Sequence, residues 1–192
     1  ARENIFSMVV FDKHRHRILC CSTWLSAYSL RRKTAEFPPH YNGHTTPVQG
    51  VLYNPNNTQI VTFDNEFVNV WKAETGKLQF HFSLASFSGV SGEYRLTSIS
   101  YDGLCRRIIT GFHQGTVVIW NPSNGQALNI IRDPDSMAEI NCVISMQRKG
   151  QTFYIASVGR RLLIAKEAQQ FTITSVTRWT APPECGSILC VH

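Results

Sequence analysis

Two stretches of this chain lie over one another around a tryptophan: VNVWKAETGKL, which holds Trp71, and VVIWNPSNGQAL, which holds Trp120. Each tryptophan is followed five places on by a glycine, Gly76 or Gly125, and the two tryptophans stand 49 residues apart. Upstream, Val61 to Trp71 falls on Thr110 to Trp120 without a gap, and Tyr53 falls near Tyr101. The same residue types at one spacing, twice, mark a repeat. A repeat of this length is one supersecondary unit that must cover its apolar faces with its neighbours.

The unit is clearest between Gly43 and Phe82. Val48 to Tyr53, Gln59 to Phe63, Phe67 to Trp71 and Leu78 to Phe82 are short, apolar-alternating and rich in β-branched or aromatic residues, the pattern of half-buried strands. Asn54-Pro55-Asn56-Asn57, Asp64-Asn65-Glu66 and Ala73-Glu74-Thr75-Gly76 separate them, with residue types that break ladders or accept positive φ. Four hairpin-linked strands form one small antiparallel sheet.

The rest of the chain follows the same plan with losses. A degenerate repeat over residues 5–39 has strands at Ile5 to Phe11, Ile18 to Ser22 and Ser26 to Leu30, with Tyr28 or Ser29 in the tryptophan place. Its Phe11 lies 42 residues before Tyr53. The unit itself covers residues 43–82. Leu84 to Glu93 reads as an enlarged loop that lengthens the period, and a third repeat covers 96–131. A fourth, over 140–176, has no tryptophan on its third strand, and Trp179 is expected beyond its last strand. Residues 187–192 read as the start of a fifth. Ala1 is no initiator methionine, so the expectation is a fragment or a processed form.

These residues resemble the WD-repeat family of β-propellers, whose signature is a Gly-His pair ahead of a first strand and a Trp closing a third. Gly43-His44 and Trp71 supply it in the right order. The resemblance implies a polar relay in which the His bonds an Asp in the turn between the second and third strands, with the Trp ring beneath. Six places before each Trp stand Asn65 and Gln114, neither of them Asp, and Ser91-Gly92-Glu93 replaces Gly-His in the third repeat. The expectation is a partial relay and blades held mainly by apolar contacts. It also implies an all-β propeller of four-stranded antiparallel blades. Propellers close with ~4 to 8 blades, about seven in this family, so the about four present here make an incomplete ring. A plain sandwich also has many short strands. The Trp-x4-Gly pair and the near-constant period favour the propeller.

Chemistry is sparse. There is no GxSxG elbow, Walker loop, HExxH or CxxC. His14 and His16 sit among arginines that repel a metal cation, so no catalytic residue, metal site or cofactor is assigned. Cys20 and Cys21 point to opposite faces of a strand. The six cysteines show no paired framework, which favours reduced thiols and an intracellular, cytoplasmic setting. No stretch offers the ~20 apolar residues of a membrane span. Asn56-Asn57-Thr58 fits a glycosylation sequon, but Asn-rich turns produce such triplets readily.

Charge is more telling. In a propeller the turns joining strands one to two and three to four share one face. Lys13, Arg15, Arg17, Arg106, Arg107, Arg148 and Lys149 fall in turns of the first kind; Arg31, Arg32, Lys33, Lys72 and Lys166 fall in or beside turns of the second. With a formal net charge of +6, such a face attracts acidic partners at long range. The plainer reading is that soluble proteins keep Lys and Arg in hairpin turns. Two function classes stand: a non-enzymatic scaffold binding other proteins, chiefly their acidic surfaces, through its loops, and a polyanion binder for RNA or anionic membrane. Nucleic acid is the weaker choice, because the loops lack interleaved aromatics and arginines. The degenerate repeats and enlarged loop are also similar to the divergent WD-repeat proteins of cilia and sperm flagella. That resemblance implies a structural part of an axoneme, with a cytoskeletal or ciliary location.

Overall fold

The computed structural model describes residues 8–21, 25–35, 43–87, 95–133, 137–168 and 172–189. The strands found there group into four antiparallel sheets of four, each built from consecutive strands in chain order. Blade 1 comprises β1 (Met8–Asp12), β2 (Arg17–Cys21), β3 (Leu25–Ser29) and β4 (Thr34–Ala35). Blade 2 comprises β5 (Gly50–Asn54), β6 (Gln59–Phe63), β7 (Phe67–Lys72) and β8 (Leu78–Ser83). Blade 3 comprises β9 (Leu96–Tyr101), β10 (Ile108–Phe112), β11 (Thr116–Asn121) and β12 (Gln126–Arg132); blade 4 comprises β13 (Ile140–Arg148), β14 (Gln151–Val158), β15 (Arg161–Glu167) and β16 (Ile173–Thr180). Four separate sheets are neither a closed barrel nor the two sheets of a sandwich. The fold class is all-β, with propeller-type blades.

Side-chain oxygens set the first hairpin of three blades. Asp12 Oδ1 accepts from the Arg15 amide, Asn54 Oδ1 from those of Asn56 and Asn57, and Asp102 Oδ1 from those of Arg106 and Arg107. Such Asx turns satisfy backbone donors that a hairpin tip would leave exposed. Phe11, Tyr53 and Tyr101 each stand one residue before, which is the physical content of their spacing in the sequence.

The Trp-x4-Gly pattern has an equally local cause. The amide of Gly76 donates to Lys72 O at 2.8 Å and that of Gly125 to Asn121 O at 2.9 Å, closing the turn between the third and fourth strands. Both glycines have positive φ, 68° and 67°, a conformation that costs an ordinary L-residue about 1–2 kcal/mol. Beside each turn the pairing slips by one residue, between Val70 and Trp71 and between Ile119 and Trp120, so the two blades carry the same bulge.

The gapless overlay is corrected by the strand registers. Trp71 pairs with Ile60, but Trp120 pairs with Ile108, so Thr62 corresponds to Thr110 and the second hairpin of blade 3 is one residue longer. Trp179 lies inside β16, paired with Leu162, because that strand runs on to Thr180. The enlarged loop begins as a 3-10 turn, Leu84–Phe87, and its remainder to Glu93 lies outside the described residues, as do residues 5–7 of the first repeat. Of the expected fifth repeat, residues 187–189 form no strand. The Ile188 amide donates to Gly159 O at 2.7 Å, and residues 190–192 lie outside the description.

The chain divides into two compact units, Ala1–Leu84 and Ala85–His192. In the first, Leu19 and Ala27 of blade 1 pack with Val48, Ile60, Trp71 and Ala73 around blade 2. In the second, Ile109, Val117 and Ile119 of blade 3 share a core with Ile140, Val143, Tyr154 and Leu163 of blade 4. A Cβ added to Gly111 would collide with Ile140, so only glycine lets β10 approach β13 this closely.

Candidate functional site

Each blade has two ends: Gly76 and Gly125 close third hairpins at one, and the second hairpins, with the acid of the relay, lie at the other. In blade 2 the second hairpin holds a buried chain of side chains: Trp71 Nε1 donates to Thr62 Oγ1 at 2.7 Å, Thr62 Oγ1 lies 2.7 Å from His44 Nε2, and His44 Nδ1 lies 2.9 Å from Asp64 Oδ2. An indole nitrogen only donates and a carboxylate only accepts. Trp71 N–H therefore donates to the Thr62 oxygen and His44 Nδ1–H to Asp64, and in the neutral imidazole the Thr62 hydroxyl donates to Nε2. The other Asp64 oxygen accepts from the amides of Glu66 and Phe67 at 2.7 and 2.6 Å. Gly43 is anchored by its carbonyl, which accepts from Asn69 Nδ2.

The expected partial relay is thus complete in blade 2. Its acid is Asp64, and Asn65 is the half-buried next residue of the same turn. Counting six back from Trp71 missed by one because the tight turn places the acid at its first corner, where two amides converge on one oxygen. Burial by itself raises the Asp64 pKa. The hydrogen bond from His44 and those from the two amides outweigh it and hold the carboxyl below its usual range.

Blade 3 fills the same space with rings. Trp120 Nε1 donates to Thr110 Oγ1 at 2.7 Å, as in blade 2, but the register sets Phe112 in the place of Asp64. Phe87 lies edge-on to Trp120 at 5.7 Å between ring centroids and 5.2 Å from Phe112. Gln114 is a half-buried turn residue of the longer hairpin, and the neighbouring His113 Nδ1 accepts from the Arg95 amide at 3.1 Å.

The opposite end of each blade carries the first and third hairpins, where the basic residues were expected. Lys13, Arg31, Arg32, Lys33, Arg106, Arg148 and Lys149 are exposed there, and Arg15 is partly exposed, paired with Glu74 at 3.0 Å. Arg17 and Arg107 are not part of this surface. Arg17 is 2% exposed; its guanidinium binds Asp12 Oδ2 at 3.0 Å and reaches the carbonyl of Ala73 in blade 2. Arg107 is buried between blades 3 and 4, donating to Tyr154 Oη and Glu167 Oε1, while Tyr154 Oη donates to Glu167 Oε2 at 3.0 Å. Burial opposes the charge on Arg107, but the bond to Glu167 more than offsets it, so its pKa is raised; burial likewise raises that of Tyr154. Both arginines end a first hairpin and contact the next blade at the end of its third strand. A repeated Asp-x4-Arg, Asp12/Arg17 and Asp102/Arg107, was the sequence signal for these clamps.

Among the described residues no three His, Cys, Asp or Glu side chains converge on a metal position. Cys20, Cys105, Cys142 and Cys185 form no disulfide among the described residues. No described helix is long and apolar enough to cross a membrane.

Comparison with known proteins agrees with this architecture. No protein-family model matches the chain. Over 108 residues, 54% of the chain, it is 31% identical to the "WD repeat-containing protein on Y chromosome" of Drosophila willistoni. It matches the proteins of that name from Drosophila grimshawi and Drosophila virilis equally well. The chain spans only 10% of the first of these relatives and 9% of the other two. Among solved structures it is similar to U3-55K, a WD40 propeller protein, with a TM-score of 0.60 at 11% identity over 92% of this chain and 52% of that one. The sequence matches and the fold together support a divergent WD-repeat family.

Proposed function

We propose that the chain is a non-enzymatic interaction scaffold that binds other proteins through the hairpin turns of its blades. The observation carrying this reading is the division of charge in blades 1 and 3. Cations whose partners are buried, Arg17 and Arg107, hold blades together, whereas the remaining turn cations stay at the solvent. A rigid scaffold that presents loops is a usual way to build a binding surface. Acidic protein surfaces are the partners this charge favours, by steering encounter. Crosslinking mass spectrometry of the chain in a cell extract tests the reading: crosslinks to other proteins concentrated at residues 13–16, 30–33, 72–77, 102–107 and 147–150 are expected, and crosslinks spread evenly over the strands contradict it. The finer reading, a structural part of an axoneme, is supported by the family resemblance alone. Failure of the tagged protein to enter the axoneme of a ciliated cell would sink it.

A further inference from the structure

Within the first unit, the first strands of blades 1 and 2 leave a groove of about 280 Å3 between them. Its deep wall is Leu19 and Ile60, both buried, flanked by Val10 and Val51. Tyr53, on the same face of β5 as Val51, lines it and is 45% exposed, a large ring left at the solvent, whereas the ring of Phe11, 54% exposed, lies on the face of β1 opposite to Val10. Lys13 and His14, on the hairpin that follows β1, border the same groove. That hairpin abuts the third hairpin of its own blade: the Leu30 amide donates to His16 O at 2.9 Å, and Arg31 Nη2 lies 3.4 Å from His16 Nδ1. The turn of Arg31, Arg32 and Lys33 is thus set against the hairpin that carries Lys13 and Arg15, and Arg15 meets Glu74 on the blade 2 turn that also holds Lys72. Against these six cations the described acids of the unit offer little, and exposed Glu66 stands on the second hairpin, at the other end of blade 2. Asp12 is engaged by Arg17, Glu74 is shared by Arg15 and Lys72, and Asp64 is buried with His44.

We propose that this groove docks an acidic peptide segment of a partner protein, one large apolar side chain entering beside Tyr53 and flanking carboxylates meeting Lys13 and Arg31–Lys33. The volume decides the size of the anchor. Whole small-molecule sites usually run about 300–1,000 Å3, so this groove suits one side chain better than a cofactor. The apolar wall decides the chemistry. Nucleic acid or an anionic lipid surface would use the cations and leave the groove unused, whereas an acidic peptide with an apolar anchor uses both. Interface anchors of this kind are buried apolar side chains in pockets, ringed by polar contacts.

The inference rests on the scaffold reading and is tested separately from it. The probe is a fluorescent, Asp- and Glu-rich peptide with one central Phe, titrated into the chain and followed by anisotropy. Binding should weaken about tenfold when the peptide Phe becomes Ser, and about as much in Tyr53→Ser, whereas Phe11→Ser, on the opposite face of β1, should bind like the parent. Both of these positions are solvent-facing, so the variants should melt like the parent. Lys13→Glu with Arg31→Glu should weaken binding at least as much and flatten its salt dependence, since fewer cations are neutralised. Equal affinity for an acidic peptide lacking the Phe, tighter binding of single-stranded RNA or of phosphatidylserine vesicles, or no binding at all would each overturn the groove proposal. If the crosslinks still gather on the turns, only the groove has failed. If they do not, the scaffold reading fails with it.

Discussion

Asp64 and Arg107 are buried charged side chains, each in its own hydrogen-bonded cluster, Asp64 with His44 in blade 2 and Arg107 with Tyr154 and Glu167 between blades 3 and 4. The Asp64 pKa is lowered in the folded protein, so the carboxylate adds stability that is fully present above the ordinary Asp value, about 3.9, and is lost as pH falls through the lower folded value. Thermal melting followed from pH 7 to pH 2 should therefore decline more steeply below about pH 4 in the parent than in Asp64→Asn. Identical profiles would mean the relay is not formed. Arg107→Met should cost about 3–5 kcal/mol, because Glu167 is left as an uncompensated buried charge. Adding Glu167→Leu should restore most of that loss, since an apolar pair of similar volume is often neutral or stabilising there. A double variant less stable than the single one, by denaturant titration, would show that Glu167 has another cation.

At the scale of the strand and turn, the two blades with a tryptophan on the third strand differ in one hairpin length, and that single residue changes what fills the space above the ring. Gly76→Ala and Gly125→Ala should each cost roughly 1–2 kcal/mol, the penalty of a left-handed residue with a Cβ. Loss of a few tenths only would mean that the turn can relax to negative φ. Trp71→Ala and Trp120→Ala should cost ~3–5 kcal/mol each, as large buried aromatics do; melting within a degree of the parent contradicts their place in the core. These features differ in how legible they were. Trp-x4-Gly was readable because a turn glycine and a strand-end tryptophan are local requirements. The acid of the relay was missed because the count back from Trp71 ended one residue past the first corner of the turn, and the extra residue in the second hairpin of blade 3 separately hid that Phe112 stands where blade 2 has Asp64. The clamps were missed for a different reason. Arg17 and Arg107 look like solvated turn cations until the neighbouring blade brings Ala73 O or Glu167 to them, and residues 56 and 60 positions away are not visible to a local pattern.

Taken as a whole, the molecule puts its chemistry-poor side chains in the strands and its charge in the turns, with a relay at one end of blade 2 and exposed cations at the other. Binding carried by hairpin turns on a rigid strand framework is the claim on which the functional account depends. Amide hydrogen exchange of the chain, alone and with a crosslink-identified partner bound, tests it most directly, because exchange separates elements that open only with the whole fold from those that open locally. The account predicts slow exchange in β6, β7, β10 and β11 in both states, with partner-dependent protection confined to residues 13–16, 30–33 and the other first and third hairpins. Protection appearing instead across the second hairpins at 64–67 and 112–116, or uniformly fast exchange through those four strands, would contradict it.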